Sequence, residues 1–325
     1  MAAVLLAIAG MDPQPWQAEF HALAPRRDVR TWSGPAGAPG TGIAIPDPGG
    51  IAYACVWLPP PGLLATLPSL RAVFSLGAGV DHILRDLTLP RDIPVVRIVD
   101  PDLTMRMTEY VVLHVLMHHR KQRRYDAQQR AHHWHEHEQR PAADVAVGVM
   151  GLGVLGQEAA QALRRLGFQV AGWSRTPKPL DGIETFHGAE GLARFLQRTE
   201  ILVCLLPATS ATQGILCLDL FRRLKRDGAL GGACLINVGR GALQIDGDIL
   251  AALDEGSLSG ATLDVFPTEP LPATSPLWDH PAVTVTPHCA AASDPHALVA
   301  NILRQIERHQ QGLPLEHVVD RDSGY

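Results

Sequence analysis

The stretch "VAVGVMGLGVLGQEAAQALRRLG", residues 145–167, constrains the fold more than any other part of this chain. An apolar run that reads as a buried strand leads into Gly151-x-Gly153-x-x-Gly156, and an amphipathic helix ended by Gly167 follows. Glycines at that spacing say little alone. Between a strand and a helix they mark a phosphate-binding turn. Gly151 permits the tight turn, Gly153 lets the backbone approach a pyrophosphate, and Gly156 lets helix and strand pack closely. The start of the helix at Val154 and Leu155 offers N–H groups and a positive dipole end to the phosphates.

The βαβ pattern continues downstream. "FQVAGWS", "EILVCLLP", "GACLINVG", "SGATLDVF" and "AVTVTPH" each read as a strand preceded by a helical or loop segment. Alternation of this kind implies a doubly wound parallel sheet. Residues 1 to about 100 show short apolar runs separated by Pro/Gly-rich turns: "VLLAIA", "GIAIP", "IAYACVWLPP", "LRAVFSLGAG" and "IPVVRIV". These read as the strands of another parallel sheet, with "APRRDVRTWSGPAGAPGTG" as loop. A long helix starting at Thr104, with Thr104 as N-cap, is expected to run through "MTEYVVLHVLMHHRKQRRYDAQQRAHHW" and carry the chain between domains. A final helix is expected from about Ala297. The fold class is therefore α/β, with two doubly wound, Rossmann-like parallel-sheet domains and a cleft between them.

Bulk properties narrow the function. A chain of 325 residues suggests two domains. Its net charge, 28 − 33 = −5, argues against a general nucleic-acid binder. No apolar run reaches the roughly 20 residues that span a bilayer, and "MAAVLLAIAG" lacks the basic region of a signal peptide. The five cysteines are scattered with no CxxC pair, as expected of buried thiols in a reducing compartment. The reading is a cytoplasmic protein.

The second strand of the nucleotide unit should end near an acidic residue that holds a ribose hydroxyl. The chain places Ser174, Arg175 and Thr176 there. Arginine attracts a 2′-phosphate through paired hydrogen bonds, where a carboxylate would repel it. The cofactor is expected to be NADP(H).

Three more stretches sit at the ends of expected strands, where open α/β sheets place ligands. They are "INVGRGAL" with Arg240, "LDVFPTEPLP" with Asp264 and Glu269, and "VTPHCAA" with His288. Arginine can bind a carboxylate and polarise a carbonyl. Histidine can move a proton near neutrality, and a neighbouring carboxylate favours its charged form.

With these motifs in hand, the chain resembles the D-isomer-specific 2-hydroxyacid dehydrogenase family. The likeness rests on Gly151–Gly156, "NVGRG" 237–241, "GATLDVFPTEPL" 260–271 and "TPH" 286–288. It is closest to the branch that reduces glyoxylate and hydroxypyruvate, through "VWLPP" 56–60, "VFSLGAGVDHIL" 73–84, "GWSRT" 172–176, "SPLWDHP" 275–281 and the tail "VDRDSGY". The resemblance implies NADPH-dependent reduction of small 2-oxo acids to D-2-hydroxy acids. It makes His288 the general acid with Glu269 as partner, and gives Arg240 the substrate carboxylate and keto oxygen. It assigns the carboxylate also to the turn Leu76, Gly77, Ala78, Gly79 and Val80, lines the pocket with Trp57, and gives Asp264 the nicotinamide carboxamide. Leu206, Pro207, Val238 and Gly239 join the glycine turn around the cofactor. The implied substrate domain is discontinuous, 1–100 plus 291–325, around an NADP-binding domain at 101–290, and the implied assembly is a homodimer to which the helix after the first hinge contributes.

The resemblance is departed from in "HHWHEHEQR" 132–140, where His133 and His137 would stand one helical turn apart. That spacing could hold zinc, but hydride transfer to a 2-oxo acid needs no metal when an arginine and a histidine supply charge and proton. The expectation is no metal. Two alternatives stay open: the same chemistry on a bulkier 2-oxo acid, and a non-catalytic nucleotide-sensing relative on the same fold.

Overall fold

The computed structural model describes residues 2–34, 45–228 and 230–325. The chain forms two compact units, Met1–Leu103 with Ser293–Tyr325, and Thr104–Ala292.

The first unit begins β1 (Ala3–Ala9), α1 (Gln14–Leu23), β2 (Val29–Gly34), β3 (Ile51–Trp57), β4 (Ala72–Ser75), α2 (Asp81–Leu84) and β5 (Val95–Val96). Its five strands are all parallel, in the order β2-β1-β3-β4-β5. Successive side chains of β1 point to opposite faces, and both faces are covered. Val4, Leu6 and Ile8 pack in one cluster with Trp16, Phe20, Ile302 and Ile306, while Leu5 and Ala7 pack in the other with Leu63, Leu67 and Ile83. Double burial is why these strands read as continuous apolar runs. Val29–Gly34, expected as loop, is instead the edge strand β2. Its partly exposed, mixed composition suits an edge and hides it from a search for apolar runs. Of the expected strand "GIAIP", residues 42–44 lie outside the described residues, and Ile45 and Pro46 are not in a strand.

The chain passes to the second unit inside α3 (Pro101–His119). This helix starts before Thr104. Asp100 caps it, its Oδ1 accepting from the N–H groups of Asp102 (2.9 Å) and Leu103 (3.1 Å), and Pro101 fits the first helical position. Nor is the helix continuous to Trp134. Lys121 adopts φ 56° between α3 and α4 (Gln122–Arg130), and helix ends before His132.

The second unit continues with β6 (Ala146–Met150), α5 (Val154–Arg165), β7 (Gln169–Ser174), β8 (Glu184–His187), α6 (Gly188–Arg198), β9 (Ile201–Cys204), α7 (Leu218–Arg222), β10 (Ala233–Asn237), α8 (Asp246–Asp254), β11 (Leu258–Leu263) and β12 (Val283–Val285). Seven parallel strands run in the order β12-β11-β10-β9-β6-β7-β8. Strand β8, "ETFH", carries no apolar run and was not anticipated. α3 and α5 cover one face through Val111, Val115, Ala159 and Leu163; α6, α7 and α8 cover the other through Phe195, Phe221 and Ile249. The strand order reverses at the β6/β9 junction, where doubly wound sheets bind ligands. α9 (Pro295–Gln310) then returns to the first unit, capped by Asp294, whose side chain accepts from His296 N–H.

Candidate active site

The glycine turn lies at that β6/β9 junction. Gly151 has φ 103°, and a Cβ there would lie 2.7 Å from the carbonyl oxygen of Leu205. A Cβ on Gly156 would overlap the carbonyl oxygen of Gly151. Gly153 differs: nothing lies within 4 Å of where its Cβ would be. So two glycines are demanded by packing, while the third leaves space at the N-terminus of α5, which no side chain caps. These are the conditions for a pyrophosphate on backbone N–H groups. Leu206 and Val238 are buried beside the turn; Val238 N–H donates to Cys204 O (3.1 Å). A Cβ on Gly239 would lie 2.7 Å from Leu206 O, and Pro207 O accepts from Thr212 Oγ1 (2.7 Å).

At the end of β7, Ser174 is buried and its hydroxyl donates to Thr176 O (2.8 Å), so this hydroxyl shapes the turn. Arg175 and Thr176 are exposed. Lys178, which sequence reasoning passed over, donates from Nζ to Leu152 O (3.3 Å) inside the glycine turn. A second cation therefore stands at the glycine turn, three residues after Arg175.

The loops after β10, β11 and β12 bring Arg240, Glu269 and His288 together. His288 Nδ1 is 2.7 Å from Glu269 Oε2, and both side chains are about one-third exposed. A carboxylate only accepts, so Nδ1 carries the proton of this bond and proton exchange with a ligand falls to Nε2. Glu269 Oε1 accepts from Phe266 N–H (2.9 Å). Burial pushes the Glu269 carboxyl up, but the bonds from His288 and Phe266 and the charges of His288 and Arg240 outweigh it and hold it below its ordinary value. Arg240 is placed by its neighbours. Buried Asn237 donates from Nδ2 to Arg240 O (3.2 Å) and accepts from Gly239 N–H (3.1 Å). Gly241 lies against the Phe266–Pro267 backbone so closely that a Cβ would overlap the Phe266 carbonyl. Gly241→Ala is thus expected to push the Arg240 loop away from Glu269, lowering stability by about 1–3 kcal/mol together with turnover; a thermal melt and a rate assay at wild-type values would contradict this.

Asp264 is buried. Its Oδ1 accepts from Thr286 Oγ1 (2.6 Å) and Cys289 N–H (2.9 Å), its Oδ2 from Ala290 N–H (3.0 Å). In the first unit, buried Ser75 builds the turn 76–80: its hydroxyl lies 2.8 Å from Gly77 O and 2.9 Å from Gly79 O, and Gly77 N–H donates back to it (3.3 Å). A Cβ on Gly77 would meet the Trp57 ring at the 2.5 Å level, and Trp57 faces the His82 ring at 5.1 Å. Ser75 and Asn237 are each a lone polar residue at the end of an apolar strand, a signal that could have singled them out.

The histidine-rich segment is not helical, so His133 and His137 are not one turn apart; the rings of His133, His135 and His137 form a row 5.9 and 4.9 Å apart. Among the described residues no group of three or more His, Cys, Asp or Glu could hold a metal ion. A cavity of about 340 Å³ lined by His118, Arg123, Arg124, Cys234, Gly260 and others lies by the starts of β10 and β11, and none of the site residues lines it.

A seven-stranded parallel sheet with this order, a glycine turn at its switch point and an Arg–Glu–His cluster beyond its strand ends define a dinucleotide-binding fold of the oxidoreductase type. The model of the D-isomer specific 2-hydroxyacid dehydrogenase NAD binding domain matches residues 112–290. A glyoxylate/hydroxypyruvate reductase A from Serratia proteamaculans is 40% identical over 319 residues, 97% of each chain. An NADPH-dependent glyoxylate/hydroxypyruvate reductase from Sinorhizobium meliloti, solved with NADP and sulfate, superposes with a TM-score of 0.92 at 46% identity over 100% of both chains. A D-isomer specific 2-hydroxyacid dehydrogenase from Xanthobacter autotrophicus Py2, solved with NADPH and MES, gives 0.91 at 41% identity, covering 100% of this chain and 99% of that one. This chain belongs to the D-isomer specific 2-hydroxyacid dehydrogenase family.

Proposed function

We propose that this protein reduces small 2-oxo acids such as glyoxylate and hydroxypyruvate to D-2-hydroxy acids at the expense of NADPH. The observation that carries the reading is the 2.7 Å contact between His288 Nδ1 and Glu269 Oε2 in the same cluster as Arg240. The second unit is read as the NADP-binding domain and the first as the substrate domain. NADP(H) suits the residues present: open space at Gly153, an uncapped α5, and Arg175 and Lys178 at the place where NAD-binding relatives of this fold carry an acid.

When bound, the reduced cofactor supplies the hydride. Arg240 binds the substrate carboxylate through a planar fork of donors and draws charge onto the keto oxygen. The turn 76–80 is read as a second anion-binding element through the N–H groups of Ala78, Gly79 and Val80, those of Leu76 and Gly77 being given to Val56 O and Ser75 Oγ, and Trp57 is read as limiting the side chain admitted there. Glu269 holds His288 by Nδ1, and His288 gives the proton on Nε2 to the keto oxygen as it gains charge. Asp264, buried against Thr286, Cys289 and Ala290, is read as the partner of the nicotinamide carboxamide. The balance is 2-oxo acid + NADPH + H⁺ → D-2-hydroxy acid + NADP⁺.

Exposed Met105 and Leu113 on α3 support assembly as a homodimer with this helix at the interface. The five thiols are all free, which supports a cytoplasmic setting; no described helix is long and apolar enough to cross a membrane.

Nicotinamide absorbance followed with a panel of 2-oxo acids, using NADPH and NADH in parallel, tests the reading; no oxidation of either cofactor with any of them would reject it. The same assay tests the cofactor site. Arg175→Asp is expected to raise the KM for NADPH by roughly 10–100-fold, the range of a lost charge-assisted hydrogen bond, with little change for NADH. Lys178→Ala should act in the same direction, and an unaltered NADPH/NADH ratio in both variants would remove the 2′-phosphate assignment.

A further inference from the structure

Behind His288 stands a pair of hydroxyls that none of these roles uses. Thr286 donates its one hydroxyl proton to Asp264 Oδ1 (2.6 Å), and Tyr110 OH lies 2.6 Å from the same Thr286 oxygen. Thr286 has no second proton to give, so Tyr110 is the donor in that contact. The order Tyr110 O–H, Thr286 O–H, Asp264 carboxylate is thereby fixed.

Asp264 in turn holds three consecutive amides. Its main-chain oxygen accepts from His288 N–H (2.8 Å), and its carboxylate from the N–H groups of Cys289 (2.9 Å) and Ala290 (3.0 Å). This winding around one buried residue, main chain and side chain together, accompanies a His288 φ of 50°, a left-handed conformation that residues bearing a Cβ seldom adopt unless held there. We propose that Tyr110 and Thr286 are positioning residues for the reduction: they fix the rotamer of Asp264, Asp264 fixes the backbone of 288–290, and that backbone aims the imidazole at Glu269.

Tyr110 comes from α3, the helix in which the chain enters the second unit, and Thr286–Ala290 is the stretch that precedes its exit at Ala292. The Tyr110–Thr286 bond therefore ties the histidine-bearing segment to the entry helix. The His114 ring, one turn further along α3, packs against Tyr110 in a tilted arrangement with ring centroids 4.1 Å apart. Burial lowers the His114 pKa, against the opposing pull of Asp264. A cavity of about 440 Å³ borders Tyr110, Cys289 and Ala290, so loss of the hydroxyl need not disturb the ring's packing.

The proposal rests on His288 as the proton donor, and the test separates the two. Steady-state kinetics of the full chain are measured with NADPH and glyoxylate. Thr286→Val, which keeps shape and loses the hydroxyl, is expected to lower kcat by about tenfold, and Tyr110→Phe by about threefold, with the KM for glyoxylate within about twofold, as for loss of a hydrogen bond felt at the proton-transfer step. Thr286→Ser should recover most of the rate. Wild-type kcat in Tyr110→Phe and Thr286→Val, a Thr286→Ser as slow as Thr286→Val, or an effect confined to the KM for NADPH would overturn the proposal; Tyr110→Phe decides should Thr286→Val not fold. His288→Gln measured alongside identifies the source of a failure. Wild-type turnover in that variant defeats the parent reading, whereas an inactive His288→Gln beside unaffected hydroxyl variants defeats the positioning role alone.

Discussion

His288→Gln is expected to lower the reductive kcat by about 10²–10⁴, the range contributed by a positioned general acid, while leaving the KM for NADPH nearly unchanged. Glutamine preserves a polar side chain of similar reach but has no proton to give at the needed affinity. The partner adds a pH signature. The Glu269 carboxyl is held below its ordinary value by His288, Phe266 and Arg240, so it remains anionic through neutrality and into mild acid. A carboxyl depressed by folding contributes stability above its unfolded pKa, and this is lost as pH falls through its folded pKa. Weakening of the pair therefore belongs to the acid side. Glu269→Gln is expected to lower the reductive kcat, because the carboxylate that holds the imidazole by Nδ1 is gone. Rate profiles of the wild type and Glu269→Gln that coincide across the whole pH range would show that the carboxylate does nothing for the acid.

Arg240 carries the second large effect. Arg240→Gln is expected to reduce kcat/KM for a 2-oxo acid by about 10³, because it removes a charged bond to the substrate carboxylate and charge stabilisation of the developing alkoxide, each worth ~1.5–3 kcal/mol or more. Both parameters should move, with KM rising and kcat falling. Arg240→Lys keeps the charge and loses the planar fork, so it should fall between the two. The NADPH dissociation constant, measured by fluorescence in the absence of substrate, should stay near the wild-type value. A variant whose only defect is cofactor binding would move Arg240 out of the substrate's reach and into the nucleotide site.

Elements with strong local signals were legible, and elements without them were not. β1, β3, β6, β9 and β10 are buried on both faces, so their sequences are apolar without interruption, and a search for such runs finds them. β2 and β8 lie at sheet edges, where one flank meets solvent and the composition can stay mixed, so "VRTWSG" reads as loop and "ETFH" as nothing at all. The start of α3 was misplaced because two residues of capping type, Asp100 and Thr104, stand four apart, and choosing between them requires the backbone N–H groups that Asp100 in fact receives. The break at Lys121 left no proline or glycine to announce it; it is a left-handed turn taken by a lysine.

The sequence alone determined the kinds of chemistry available. It contained a phosphate turn between strand and helix, a cation where NAD-type sites carry an acid, and an arginine, a carboxylate and a histidine after successive strands. These are local facts, since glycine spacing and side-chain type act within a few residues of the backbone. The family resemblance paired Glu269 with His288, but residue by residue the sequence left Asp264 and Glu269 equal, for both follow the same strand, and the tertiary structure separates them. Folding buried Asp264 as the clasp for 288–290 and left Glu269 at the imidazole. The placing of Ser75, Asn237, Lys178, Tyr110 and Thr286 was decided there too, because their partners are backbone groups or side chains brought close by packing, and a hydrogen bond has no meaning until both ends are within about 3 Å.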